Sequence, residues 1–250
     1  MEERGRLARE GVELAWIRQA GREPMVVFLP GFMSEMQGEK GAHLAGFCAR
    51  RGFALLRLDY SGHGASGGRF ADGSIGRWTE DALAVIDREV GRRLVLVGSS
   101  MGGWIALLVA MRRPERIAGL LGVAAAPDFT ETLMWQAMTA EEQARLLAEG
   151  SLTAPSAYGE PLLITRRLIE DGRQHLLLGG PIPISCPVRL LHGQQDPDVP
   201  WETALRTAER IAGEDVRVTL IKDGAHRLSR PQDLALLSST LAGLLGEDGF

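Results

Sequence analysis

At 250 residues and 45% hydrophobic content, the chain can bury a substantial core, and a single domain is the natural expectation. A formal net charge of −4, from 28 basic and 32 acidic residues, leaves no basic footprint for nucleic acid. No apolar run is long enough to span a bilayer, so integral membrane association is not expected.

The N-terminal Met1–Arg6 is charged and lacks the apolar core of a secretory signal, which suggests a cytoplasmic protein. Apolar and polar residues then alternate over Val12–Arg18, as in an edge strand or hairpin. Four short apolar runs follow, Met25–Leu29, Ala54–Leu58, Leu94–Val97 and Ile117–Val123. Each is succeeded by Gly, Pro, Asp or Ser, as buried parallel strands are. Helical patterns separate them at about residues 41–51, 74–90 and 101–112. Cys48 and Cys186 are the only cysteines; they form no disulfide framework and read as small buried hydrophobes.

From Asp128 to Pro183 the rhythm breaks. No strand is evident, and two helical pieces, Ala140–Glu149 and Pro161–Asp171, are punctuated by Gly and Pro. An insertion of that length after a strand end predicts a helical cap over the sheet. Two late strands, Val188–Leu191 and Val216–Ile221, flank a helix whose apolar face runs Trp201, Ala204, Leu205, Ala208, Ile211 and Ala212. A final helix after Pro231 carries Leu234, Leu237, Leu241, Leu244 and Leu245. This alternation predicts one α/β domain over residues 1–250, with a mostly parallel central sheet, helices on both faces and the cap at 128–183.

The most informative motif is Gly98-Ser99-Ser100-Met101-Gly102, lying between a predicted strand and a predicted helix. That order describes a nucleophile elbow, in which a sharp turn exposes one serine hydroxyl. The residues two before and two after the apex approach closely. With Ser100 at the apex these are Gly98 and Gly102; with Ser99 they would be Val97 and Met101, whose side chains would collide. Ser100 is therefore the candidate nucleophile.

A serine hydroxyl needs a base, and the base needs an orienting carboxylate. His226 is the sole histidine after the last strand, on a Gly-containing loop, and is the candidate general base and acid. The loop after Val188–Leu191 offers Asp196 and Asp198. Asp196 comes first and is stiffened by Pro197, whereas Asp198 reads as a turn residue. His192 reads as a strand-end histidine that packs this loop. The backbone N–H of Met101 supplies one oxyanion donor, and that of Phe32, in Pro30-Gly31-Phe32-Met33, supplies the other.

Gly62-His63-Gly64-Ala65-Ser66-Gly67 matches a dinucleotide fingerprint, but no helix opens at its end, so a glycine-rich loop beside the site is the better reading. The five histidines have no metal-ligand spacing, and neither a metal nor a cofactor is expected. Met33, Trp104 and Trp135 lie on segments predicted to meet above Ser100, and are the candidate substrate-binding residues of an apolar acyl pocket.

Phe28–Phe32, Asp59–Ser66, Gly98–Trp104 and Leu190–Trp201 together resemble the α/β-hydrolase superfamily. More narrowly they resemble the mitochondrial acyl-protein thioesterase and acyl-glucuronide esterase family, with Pro181–Ile184 before Cys186-Pro187 among the more specific matches. The resemblance implies a serine hydrolase acting on acyl thioesters or activated esters, and transfers a triad to Ser100, Asp196 and His226. Many α/β-hydrolases have His-Gly where this chain has Pro30-Gly31, so no role for that histidine carries over.

The leading expectation is a carboxyl-ester or thioester hydrolase working through an acyl-enzyme on a small acyl substrate, with an acylated protein as a further candidate. The same triad also serves C–C bond hydrolases and perhydrolases. A non-catalytic ligand-binding member of the fold is the alternative of a different class.

Overall fold

An antiparallel hairpin, β1 (Glu2–Arg9) and β2 (Val12–Gln19), opens the chain and forms one edge of the sheet. The computed structural model describes residues 2–154 and 161–247. Next come β3 (Arg22–Leu29), α1 (Glu39–Arg51), β4 (Phe53–Leu58), α2 (Ile75–Ile86), β5 (Leu94–Ser99), α3 (Met101–Arg112) and β6 (Ile117–Val123). After an insertion, β9 (Val188–Gly193), α6 (Glu202–Arg210), β10 (Val216–Ile221) and α7 (Pro231–Leu244) complete the domain. The strands lie in the order β1-β2-β4-β3-β5-β6-β9-β10, and the six from β4 to β10 run parallel.

The expected sheet, wrapped by helices on both faces, is therefore present. Its two faces bury separate apolar layers. One packs β-strand residues such as Val27 and Leu96 against Trp78 of α2 and Trp104 of α3; the other packs Val26 and Val97 against Leu44 and Phe47 of α1 and Leu237 and Leu241 of α7. Residues alternate between the layers because successive strand side chains point to opposite faces. Met101 through Ala110 are all buried, since α3 is covered on every side and is apolar all round.

Three sequence expectations are corrected. The helix expected to reach Val90 stops at Ile86, where Asp87 turns outward to pair with Arg113 and Arg116; Val90 is exposed before the left-handed Gly91. Leu205, placed on the apolar face of α6, is exposed, and Thr207 is buried in that helix instead.

The third correction lies in the insertion, which was expected to contain no strand. It holds a π-helical turn at Thr130–Trp135, α4 (Ala140–Glu149), an antiparallel pair β7 (Ser151–Ala154) and β8 (Leu162–Thr165), and α5 (Arg166–Gly172). Ala140–Glu149 is the expected helix, started by a Thr139–Glu142 capping box. Pro161–Asp171 is not one helix. Leu162–Thr165 pairs as a strand, and the Thr165 hydroxyl then accepts the Leu168 N–H to start α5.

The insertion is tied down at several points. Buried Asp128, at φ 62°, accepts the N–H groups of Leu177 (2.7 Å) and Leu178 (2.9 Å), joining its beginning to its end. Asp171 accepts the Gly76 N–H (2.7 Å) at the start of α2, where a carboxylate is favoured by the helix dipole.

Candidate active site

Ser100 sits between β5 and α3 with φ 55° and ψ −120°, a conformation costly for a residue with a side chain. The packing shows why the flanking glycines are needed. A Cβ on Gly98 would lie 2.3 Å from the Gly102 carbonyl oxygen, and one on Gly102 would lie 2.0 Å from the Leu29 carbonyl oxygen. Gly98 thus permits the tight turn, while Gly102 lets the β3 loop approach it. The Ser100 N–H donates to Val123 O (2.9 Å), and its carbonyl accepts from Gly103 (2.9 Å) and Ala126 (3.1 Å). These bonds hold the strained residue in place.

Asp196 and His226 come from the loops that follow β9 and β10. These loops cross where a Cβ on Gly193 would lie 2.2 Å from the Gly224 carbonyl oxygen, and the Gln195 N–H donates to that same oxygen (2.9 Å). The crossing brings three side chains into line. His226 Nε2 is 3.0 Å from Ser100 Oγ, and His226 Nδ1 is 2.8 Å from Asp196 Oδ2. The Asp196 side chain has no accessible surface, and Oδ1 accepts the Asp198 and Val199 N–H groups, each at 2.9 Å. Burial alone would raise its pKa. Hydrogen bonds from His192, His226 and the Val199 backbone, with the attraction of His226, outweigh burial and hold the carboxyl well below the usual range. Asp198 is exposed, in keeping with its reading as a turn residue.

The segment after β3 approaches this line from the other side. The ideal Cβ position of Gly31 is 3.3 Å from Ser100 Cβ. Met101 opens α3, so its N–H has no acceptor in the preceding turn. Among the described residues, no backbone hydrogen bond outside the helices and strands engages the Phe32 N–H. The Phe32 ring is anchored edge-on against Phe70, Trp78 and Phe129, with centroids 5.0, 5.8 and 5.7 Å away.

Three side chains from the loop after β4 hold the same segment. Tyr60 donates its hydroxyl to Pro30 O (3.2 Å), His63 Nε2 accepts the Met33 N–H (3.3 Å), and Asp59 Oδ1 accepts the Met36 N–H (2.6 Å). Because His63 Nδ1 faces Ser61 O (3.3 Å), the proton belongs on Nδ1 and Nε2 is free to accept. Burial lowers the His63 pKa to about 4. Burial also raises the pKa of Asp59, opposed by its two backbone donors.

The three candidate pocket residues have different surroundings. Met33 is 44% exposed on the segment that carries Phe32. Trp104 is fully buried, packs on Phe129, and donates its indole N–H to His175 O (3.1 Å), fastening α3 to the insertion. Trp135 is half-buried, with the Arg173 guanidinium 4.6 Å above its ring. Asp196, Asp198 and His226 also bring one ligand atom each within 4.8 Å of one another, but the Asp196 and His226 atoms already bond each other.

Two residues acquire a place that the sequence reading did not assign. In the sequence His63 stands only as part of a glycine-rich loop. His192 was read as packing, yet its Nε2 lies 3.2 Å from Asp196 Oδ2. The available signal was spacing: His192 and Asp196 are four residues apart around a turn that begins at a strand end.

An eight-stranded, mostly parallel sheet with a strained serine at a strand–helix apex, facing a histidine on a late loop, defines an α/β-hydrolase. Residues 21–167 match the family model described as serine aminopeptidase, S33, and the chain belongs to that α/β-hydrolase family. It is 40% identical to the mitochondrial palmitoyl-protein thioesterase ABHD10 of Mus musculus over 234 residues, covering 93% of this chain and 78% of the relative. For the Homo sapiens protein of the same name, identity is 38% over 234 residues, covering 93% and 76%. The solved structure of α/β hydrolase domain-containing protein 10 from mouse superposes with a TM-score of 0.91 at 38% identity, covering 99% of this chain and 100% of that one. The chain is thus a hydrolase with thioesterase-named relatives. Those relatives are mitochondrial by name, whereas the sequence reading expects a cytoplasmic protein. Among the described residues no helix is long and apolar enough to cross a membrane.

Proposed function

We propose that the protein hydrolyses acyl thioesters and activated carboxylic esters through an acyl-enzyme on Ser100. The observation that carries this reading is the continuous chain from Ser100 Oγ to His226 Nε2 at 3.0 Å and from His226 Nδ1 to Asp196 Oδ2 at 2.8 Å. Ser100 Oγ attacks the acyl carbon while its proton passes to His226 Nε2, and Asp196 fixes the imidazole and stabilises the imidazolium. The Phe32 and Met101 N–H groups receive the oxyanion; each such donor is typically worth about 2.7–4 kcal/mol of transition-state stabilisation.

Collapse breaks the C–S or C–O bond, and His226 returns the proton to the departing sulfur or oxygen. Water then attacks the acyl-serine, giving its proton to His226. The second collapse releases the carboxylic acid and restores the Ser100 hydroxyl. The relatives' thioesterase names favour acyl thioesters, with a small molecule or an acylated protein as the acyl carrier. The insertion at 128–183 is the cap of this site, and Met33 and Trp135 are its candidate acyl contacts, with Trp104 supporting the wall from within.

The test is turnover of acyl thioesters and p-nitrophenyl esters of increasing chain length by wild type and Ser100→Ala. Hydrolysis that vanishes in a folded Ser100→Ala supports the reading. Turnover that survives in that variant sinks it, and indifference to chain length removes the apolar pocket.

A further inference from the structure

His192, the penultimate residue of β9, has no accessible surface. Its Nε2 has two acceptors in reach, Val199 O at 3.0 Å and Asp196 Oδ2 at 3.2 Å. Among the described residues its Nδ1 is buried without a hydrogen-bond partner. A nitrogen facing two acceptors must carry the proton, so His192 is in the Nε2–H form and Nδ1 is bare. Leaving a buried acceptor unpaired is destabilising, and a buried apolar side chain would not incur that penalty. Packing alone therefore does not explain a histidine here.

The contacts of Asp196 do explain it. Its Oδ1 accepts from the backbone of Asp198 and Val199, while Oδ2 faces His226 on one side and His192 on the other. The turn from Asp196 to Val199 is closed from both ends: Asp196 accepts the Val199 N–H, and His192 binds the Val199 carbonyl. The carboxylate is thus held in one rotamer, with Oδ2 aimed at His226 Nδ1.

We propose that His192 is a positioning residue that sets the Asp196 carboxylate, and through it the His226 imidazole, for proton transfer from Ser100. This rests on the Ser100–His226–Asp196 reading above. His192 touches neither substrate nor the reacting atoms, so it acts on turnover and not on substrate binding. Losing the Nε2–H that Val199 O and the Asp196 carboxylate share corresponds to about a 10- to 100-fold change in rate when it is felt in the transition state.

The experiment uses His192→Leu, which removes the donor, and His192→Gln, which keeps a side-chain N–H. His192→Leu is expected to lower kcat about 10- to 100-fold with KM within about threefold, and His192→Gln to recover most of the loss. In an Asp196→Asn background, His192→Leu is expected to add little, because its target is already altered. The downfield proton resonance of His226 Nδ1–H is expected to move in His192→Leu and to be retained in His192→Gln. Where His192→Leu does not fold, His192→Gln against the shorter His192→Asn carries the same comparison.

Wild-type kcat and an unmoved resonance in His192→Leu would overturn the proposal. So would the same fold-loss in the wild-type and Asp196→Asn backgrounds, which marks a structural role. Hydrolysis surviving in Ser100→Ala instead overturns the triad reading itself, and the resonance is measured without turnover.

Discussion

Gly98→Ala is the smallest substitution expected to disable the elbow while leaving every candidate reacting group in place. The added methyl would lie 2.3 Å from Gly102 O, 2.5 Å from Gly102 C and 2.7 Å from Gly103 Cα. All three are backbone atoms, so no side chain can rotate away. Ordinary contact begins at 3.4 Å, so β5 and α3 must separate by about 1 Å at the turn. Ser100 lies between them, 3.0 Å from His226 Nε2. A displacement of about 1 Å in a reacting group lowers rates on the order of 100-fold, and overpacking of this kind costs about 1–3 kcal/mol. Steady-state hydrolysis of a p-nitrophenyl ester and a thermal melt read the two effects. Gly243→Ala is the control: it lies in α7 with nothing within 4 Å of its added methyl, and should gain up to about 1 kcal/mol in stability without loss of activity. A Gly98→Ala protein with activity within twofold of wild type would refute the assignment of the close approach.

Phe32→Ala should cost stability as well as turnover, because its ring is held by Phe70, Trp78 and Phe129. For a half-buried ring the loss is about 2 kcal/mol of stability by denaturant titration, and on the proposed oxyanion role of the Phe32 N–H the expected drop in kcat is at least about tenfold. Asp128→Ala leaves the Leu177 and Leu178 N–H groups without their acceptor. It should lower stability by about 2–5 kcal/mol, and amide exchange should quicken around residues 173–180. His63 gives a pH dependence. Its folded pKa, about 4, lies below the ordinary value of 6.5, so the native state binds fewer protons between the two. Its contribution is therefore full above about pH 6.5 and is lost as pH falls through 6.5 toward 4, amounting to about 3 kcal/mol. Denaturant titrations at pH 4.5 and 7.5 should show a smaller difference for His63→Asn than for wild type; equal differences would exclude His63 as the source.

The parts of the site legible in the sequence are those encoded by contiguous residues or by chain order. Gly98 and Gly102 report a steric demand that only glycine meets, and Asp196 and His226 follow the short β-branched and leucine-rich segments Val188–Leu191 and Val216–Ile221 that read as strands. The insertion was harder because its strands have four residues each, too few for a period to emerge, and Leu162–Ile164 reads equally well as the start of a helix. Thr165, three residues before Leu168, is the N-cap signal for α5 that the sequence carries there. The contacts of His63 and His192 depend on which ring nitrogen faces which neighbour. A residue letter carries no such information; His192 gained its place only when the loop brought Asp196 back to within 3.2 Å.

The most direct test of acyl transfer to Ser100 is rapid-quench mass spectrometry with an acyl thioester. The expected result is a burst of released thiol matched by an acyl mass on one peptide, mapped to Ser100, and absent from Ser100→Ala. Turnover without any acylated peptide, or an acyl group mapped to another residue, would contradict it.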